Sequence, residues 1–431
     1  MMDMTYARSE AYVSMCRNDN NGHFTRRRKL PLNDLLLSMI NRKGITLKLE
    51  LRNFMSITHP GMEISKPGYL KQRLKLNPEA FKELYHYHNR NFYQDTDIST
   101  YNKYLVLAAD GSDINVPTTP ETLDMFGTAS RKGTKPQSQI GLACIYDVLN
   151  KLILESSINK VKFDEMRQAE EQLDKIRDTI GCDQPYLIIM DRGYPSTPAF
   201  IHMEDKGIKF LVRLKSSDYK KEQADLVTDD TVVDITLDKS RIRHYEGTAD
   251  GERMKELGHI RLRMVRVKLD DGRYEVLATN LDREEFDADA IAELYHLRWG
   301  IETAYETLKS RLQLENFTGT KSILLEQDIY STIYVSNLTE DIIMDVEKEL
   351  DEKDISYKHK MAVNQSIGIG ILKNDLIHII LETNCDKKQK MFEKLYDDIS
   401  NNLVPIRPDR HYRRTKGQLA GRYSNTHKRV Y

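Results

Sequence analysis

Tyr295-His-Leu-Arg298-Trp299-Gly-Ile-Glu302-Thr-Ala-Tyr305-Glu306-Thr-Leu-Lys309 is the stretch that decides how this chain reads. It sets a phenol (Tyr295), a guanidinium (Arg298), a carboxylate (Glu302) and an ammonium (Lys309) at i, i+3, i+7 and i+14. On a regular helix of roughly 100° per residue these four fall within about 60° of one another. Leu294, Leu297, Ile301, Tyr305, Leu308 and Leu312 form a second, apolar stripe beside them. One face is expected to pack on a core, and the adjacent one offers an anion able to hold a metal and cations able to hold phosphates. An ordinary solvated face would alternate Glu and Lys at i,i+4 instead.

Working outward, two apolar runs end in an acid. Tyr104-Leu-Val-Leu-Ala-Ala-Asp110 is followed by Gly111, and Tyr186-Leu-Ile-Ile-Met-Asp191 is followed two residues on by Gly193. Residues 140–146, 151–158 and 210–214 read as further strands. Phe163, Met166, Ala169, Leu173, Ile176 and Ile180 mark an amphipathic helix between them. Strands alternating with helices predict an α/β sheet. Ligands gather beyond the carboxyl ends of such strands, so Asp110 and Asp191 can share one crevice and Glu302 can join them from a packed helix. A strand-end Asp before Gly also serves as a turn residue or helix cap. The set of three acids with a nearby Arg and Lys favours the functional reading. Crowded carboxylates require a cation, and hard oxygen donors favour Mg²⁺ or Mn²⁺. Two such ions can serve both oxygens of an in-line phosphoryl displacement.

The rest of the chain frames this site. Its 431 residues suffice for two or three domains. No run approaches the roughly eighteen apolar residues of a membrane helix, and the first residues hold no apolar signal segment. Cys16, Cys144, Cys182 and Cys385 lack metal spacing and read as reduced thiols of a cytosolic protein. Net charge is −1, but its distribution is uneven. Arg26-Arg27-Arg28-Lys29 opens the first amphipathic segment. Arg407, Arg410, Arg413, Arg414, Lys416, Arg422, Lys428 and Arg429 crowd the C-terminus among Tyr412, Tyr423 and Tyr431. Basic clusters with interleaved aromatics suit a nucleic-acid backbone, and equally suit a solubilising tail. His86-x-His88 has no third ligand and reads as a helix-surface pair.

The pattern Tyr-x₂-Arg-x₃-Glu-x₆-Lys at Tyr295, Arg298, Glu302 and Lys309 resembles the signature of the DDE transposases of bacterial insertion sequences, the group called insertion-sequence family four. Ala-Asp110-Gly-Ser, Met-Asp191-Arg192-Gly193-Tyr194 and Ala-Thr279-Asn280-Leu281 are similar to that group's other landmarks. The resemblance spans roughly residues 24–334, with a basic C-terminus. It implies an RNase H-like catalytic core, a mixed sheet with flanking helices, over residues 96–334. A β-rich insertion at about 215–275 would interrupt it. An N-terminal helical DNA-binding region (1–95), a C-terminal helical region (335–404) and a basic tail (405–431) would complete the chain.

By the same resemblance, Asp110, Asp191 and Glu302 are the catalytic, metal-binding acids for two Mg²⁺ or Mn²⁺ ions. Tyr295, Arg298 and Lys309 contact DNA phosphates. The activity implied is cut-and-paste transposition: hydrolysis at the terminal inverted repeats, then strand transfer into target DNA by a homodimer, in the bacterial cytoplasm at the nucleoid. Two alternatives stand beside it: a metal-dependent nuclease of the same fold without strand transfer, and a catalytically idle DNA-binding descendant. One departure is plain. The group can stack a flipped base on a tryptophan of the β insertion, whereas the single tryptophan here is Trp299, inside the signature. Trp299 reads as a core-edge or a base-stacking residue, and Tyr245 or Tyr274 could stand in for the missing indole.

Overall fold

A computed structural model of the chain describes residues 2–18, 22–25, 29–95, 97–128, 135–269, 272–352 and 358–406. The basic triplet Arg26–Arg28 and the C-terminal cluster from Arg407 onward lie outside the described residues.

Eight strands form one sheet: β1 (Leu105–Asn115), β2 (Gln139–Asp147), β3 (Leu152–Lys160), β4 (Tyr186–Met190), β5 (Lys209–Leu214), β6 (Asp230–Thr236), β7 (His259–Lys268) and β8 (Tyr274–Thr279). Their order is β3-β2-β1-β4-β5-β8-β7-β6. The first three pair antiparallel, and β4 and β5 run parallel to β1. That order and polarity is the RNase H-like arrangement. Strands β8, β7 and β6 then continue the sheet antiparallel from the β5 edge. The β-rich stretch is therefore not a separate sheet. It also carries helices at Lys220–Ala224, Lys239–Ile242 and Ala249–Leu257.

Strand alternation sorts the side chains into two layers. Leu105, Leu107 and Ala109 of β1, with Ile188 and Met190 of β4, face the helices Glu165–Leu173, Arg177–Ile180 and Thr197–Asp205. The single helix expected over 163–180 is thus two short ones. Val106, Leu187 and Ile189 face the other way and pack with Ile291 and Leu294. Ala108, Leu142 and Cys144 share that second side with Ile301, Tyr305 and Leu308. The helices bearing the signature thus lie on the face to which even-numbered β1 residues and odd-numbered β4 residues point.

The N-terminal helices Leu32–Ile40, Leu47–Thr58, Lys66–Arg73 and Glu79–Asp95 pack with the 31-residue helix Ser322–Glu352. A buried ion network locks this joint. Arg73 and Asp328 are both fully buried, 3.0 Å apart, and Arg42 reaches the same carboxylate at 3.0 Å. Arg73 also donates to Gln327 and to the Leu324 carbonyl, and the Thr318 amide donates to Asp328. Every buried charge has partners, the condition under which such burial is tolerable. Helices Gln365–Leu381 and Cys385–Ser400 close the C-terminal side with a two-stranded ribbon, β9 (Met361–Val363) and β10 (Leu403–Pro405).

The histidine pair divides. His86 Nε2 lies 2.9 Å from Glu155, whereas His88 is buried with Nδ1 3.0 Å from Asp3. The surface reading of His88 gives way to a core ion pair, because its neighbours Asp3 and Asp341 sit on the packed helices. No described helix is long and apolar enough to cross a membrane. All four cysteines are free thiols.

Candidate active site

Asp110 does not end its strand. β1 runs on to Asn115, because Gly111–Asn115 keep pairing with β2. What ends near Asp110 is the parallel pairing with β4, whose last register pair is Ala109 with Met190. Asp110 and Asp191 are the next residues on each side. They stand one step past the last rung, on neighbouring strands about 4.8 Å apart, and alternation turns both towards the signature helices. The Gly111 amide donates to Asp110 Oδ1 at 2.9 Å, and the Arg192 amide donates to Asp191 Oδ1 at 2.6 Å.

The signature stretch is not one regular helix. An α-helix spans Ala288–Leu297, a second spans Trp299–Glu306, and Thr307–Arg311 is a π-helix. Arg298 is the junction between the first two. The single-stripe projection from Tyr295 to Lys309 therefore does not hold along its whole length. The geometry is instead set by anchors. The Tyr305 hydroxyl donates to the Asp110 carbonyl at 2.8 Å and to the Leu142 carbonyl at 3.0 Å. This clamps the helix one turn after Glu302 directly onto the Asp110 backbone.

Glu302 accepts from Arg298 Nη2 at 2.9 Å. Arg298 is only 5% exposed, its guanidinium lies 4.8 Å from the Trp299 ring, and its Nε is buried without a hydrogen-bond partner. Tyr295 is 9% exposed with its hydroxyl likewise unpartnered. Burial pushes that phenol up to about 12. Two buried, orphaned polar atoms beside each other are unusual in a folded protein. Lys309 is not free: its Nζ donates to Ser112 Oγ and to the Asp113 carbonyl, both at 2.7 Å. Burial lowers its pKa. Trp299 is 41% exposed, so it is not a core residue, and Glu306 faces solvent.

Burial raises the Asp110 carboxyl to about 6, against the lowering effects of the Gly111 amide and Arg298; Glu165 and then Glu302 push it further up. Glu165 had no place in the sequence reading. It opens the helix Glu165–Leu173, and burial raises its pKa, with the charges of Asp113 and Asp191 adding to the shift. Tyr194 itself is buried and so shapes the loop after Asp191. Among the described residues no three Asp, Glu, His or Cys side chains are gathered tightly enough to hold a metal ion. Two forces oppose such gathering without a cation: mutual repulsion of the acids, and the Arg298 contact that Glu302 already makes.

Residues 101–338 match the family described as "Transposase DDE domain". The chain belongs to that family. This DDE transposase is 21% identical over 338 residues to the transposase InsG of insertion sequence element IS4 from Escherichia coli (strain K12), across 76% of this chain and 73% of the relative. A shorter match, 35% over 68 residues, joins it to the putative transposase InsL of element IS186A from the same organism, across 16% of this chain and 18% of the relative. Among solved structures, the piggyBac transposase synaptic complex with hairpin DNA aligns over 91% of this chain and 84% of that one, with a TM-score of 0.46 and 10% identity.

Proposed function

We propose that this transposase carries out cut-and-paste transposition of an insertion sequence, with Asp110, Asp191 and Glu302 as its catalytic acids. The observation that carries the reading is the register. Asp110 and Asp191 each follow the last parallel rung, Ala109 with Met190, and the Tyr305 hydroxyl ties the Glu302 helix to the Asp110 backbone carbonyl.

The donor set fits a pair of hard divalent cations. It offers carboxylate oxygens, and burial, with the Glu165 and Glu302 charges adding to it, leaves the Asp110 carboxyl reluctant to ionise until a cation arrives. Asp110, Asp191 and Glu302 would hold Mg²⁺ or Mn²⁺, which supplies charge neutralisation at the attacked phosphodiester. Gathering the site requires Glu302 to leave Arg298.

The remaining chemistry belongs to the chain's own residues. Water attacks the phosphodiester at an element end and leaves a 3′-hydroxyl. That hydroxyl attacks the opposite strand to form a hairpin, which is reopened, and then attacks target DNA. Each step exchanges one phosphodiester oxygen for another, so positioning does most of the work. Arg298 Nε and the Tyr295 hydroxyl are donors without acceptors, and a DNA phosphate supplies acceptors for both. Arg298 suits this role because its guanidinium presents several donors in a fixed plane. Lys309 would reach a phosphate by leaving Ser112 and Asp113. The N-terminal helices and the basic C-terminus supply backbone contacts, so binding to terminal inverted repeats weakens steeply with salt. Two copies act on paired ends.

The test is a terminal-repeat substrate incubated with full-length protein and Mg²⁺. Joined products with target DNA support the reading. Nicks without joining favour a nuclease, and neither product at any salt favours an idle DNA-binding descendant.

A further inference from the structure

Glu165 approaches the same crevice from the opposite layer of the sheet. It sits at the first position of its helix, after the Asp164 cap, whose carboxylate accepts from the Arg167 amide at 3.1 Å. Acids in a first turn favour the helix dipole, which accounts for a glutamate there. It does not account for where the carboxylate goes. A Cβ placed on Gly111 would lie 3.1 Å from Glu165 Oε1, and one placed on Gly193 would lie 3.9 Å from Oε2. The two oxygens thus rest against the two glycines that follow the two strand-borne acids, one glycine to each oxygen. Any side chain at Gly111 would crowd this carboxylate. The charge of Asp191 bears directly on Glu165, and the charge of Glu165 bears on Asp110.

A group of acids alone would not establish a ligand site. The orphaned donors do so independently. Tyr295 and Arg298 are each more than nine-tenths buried, carry unpartnered polar atoms, and feel the Asp191 charge. The crevice is therefore built for something both anionic and bound beside a cation, as a metal-bridged phosphate is. The carboxylates that could serve it are Asp110, Asp191, Glu302 and Glu165; Arg298 is paired with Glu302, and Lys309 is already engaged by β1.

We infer that Glu165 is a fourth carboxylate of the divalent-metal centre, reaching it beside Gly111 of β1 and past the end of β4, where Gly193 lies in the following turn. The inference rests on the proposed metal role of Asp110, Asp191 and Glu302 and extends the donor set to the other layer of the fold.

The experiment titrates Mn²⁺ alone into full-length protein and reads the free ion by its electron paramagnetic resonance signal. Wild type, Glu165→Gln, Glu165→Asp and Asp191→Asn are compared, each first shown folded by circular dichroism. Glu165→Gln is expected to weaken Mn²⁺ binding about tenfold, the scale of a lost supporting ligand, with Glu165→Asp in between. Weakening by Asp191→Asn together with wild-type titration of both Glu165 variants overturns the inference and leaves the three-acid reading intact. Wild-type titration by all three variants overturns both.

Discussion

The Arg298 guanidinium and the Glu302 carboxylate are locked together at 2.9 Å across one helical turn. The pair joins a proposed phosphate-binding group to a proposed catalytic acid. Arg298 also has an unpartnered, buried Nε, and its guanidinium lies 5.9 Å from the ring of Tyr295, whose hydroxyl is unpartnered too. A phosphate taken by Arg298 and a cation taken by Glu302 would compete with this contact together, so DNA and metal are expected to bind cooperatively.

Replacing Arg298 by Ala should leave binding to a terminal-repeat duplex within about threefold, since one contact among many phosphate contacts is lost. Cleavage and joining should fall by about a hundredfold, the usual scale for removing a preorganised donor. Gel-shift titration and product gels on the same preparation read the two effects separately. Lysine at this position should rescue little, because an ammonium cannot reproduce the planar fork.

Asp110 illustrates a conflict between stability and activity. Its carboxyl is raised to about 6, chiefly by burial, so folding without metal forces an acid that ionises near 4 when unfolded to stay protonated to higher pH. The sign follows: stability from this group is fully present below about pH 4 and lost as pH climbs through about 6. At pH 7.5 the metal-free Asp110→Asn variant should be more stable than wild type by about 1 kcal/mol, allowing for partial exposure. Excess Mg²⁺ should raise the melting temperature of wild type and much less that of the variant.

Glu340 tests the same logic away from the site. It is buried on the long helix, and burial raises it to about 7, with Glu347 adding to the shift against Lys151 and Arg311. Its stabilising contribution is present below about pH 4.5 and lost as pH rises through about 7. Between pH 6 and pH 8.5, wild type should lose about 1–2 kcal/mol more than Glu340→Gln in urea denaturation. Parallel curves for the two proteins would remove Glu340 from the pH dependence.

The Arg73–Asp328 pair should behave as a structural lock. Arg73→Met leaves a fully buried carboxylate with Arg42 and the Thr318 donors but without its buried guanidinium partner, at a cost of about 3–5 kcal/mol. A double substitution, Arg73→Met with Asp328→Leu, should recover only part of that loss, because the largely buried Arg42 then loses its carboxylate partner. Thermal melts of the single and double variants decide it.

Much of this was legible in the residues. The continuous burial of Leu105–Ala109 and of β4, both faces covered, follows their unbroken apolar runs, and the signature spacing marked the helix that carries Glu302. Three features were not. Asp110 looks like a strand end because Gly-Ser-Asp follows it, yet pairing with β2 is a non-local interaction that carries the strand on to Asn115. The break at Arg298 and the π-turn at Thr307 have no Pro or Gly at the break to announce them; they follow from the Tyr305 and Lys309 contacts to β1. Glu165 belongs to no spacing pattern. Its signal was indirect: a glycine after each strand-borne acid, opposite the start of a helix that returns from β3.

The most direct test of the account is Mg²⁺-dependent strand cleavage at a terminal-repeat substrate by Asp110→Asn, Asp191→Ala and Glu302→Gln, each with duplex binding measured alongside. All three should bind the ends as wild type does and cleave none. Wild-type cleavage by any one of them would contradict the claim that these three acids form one catalytic centre.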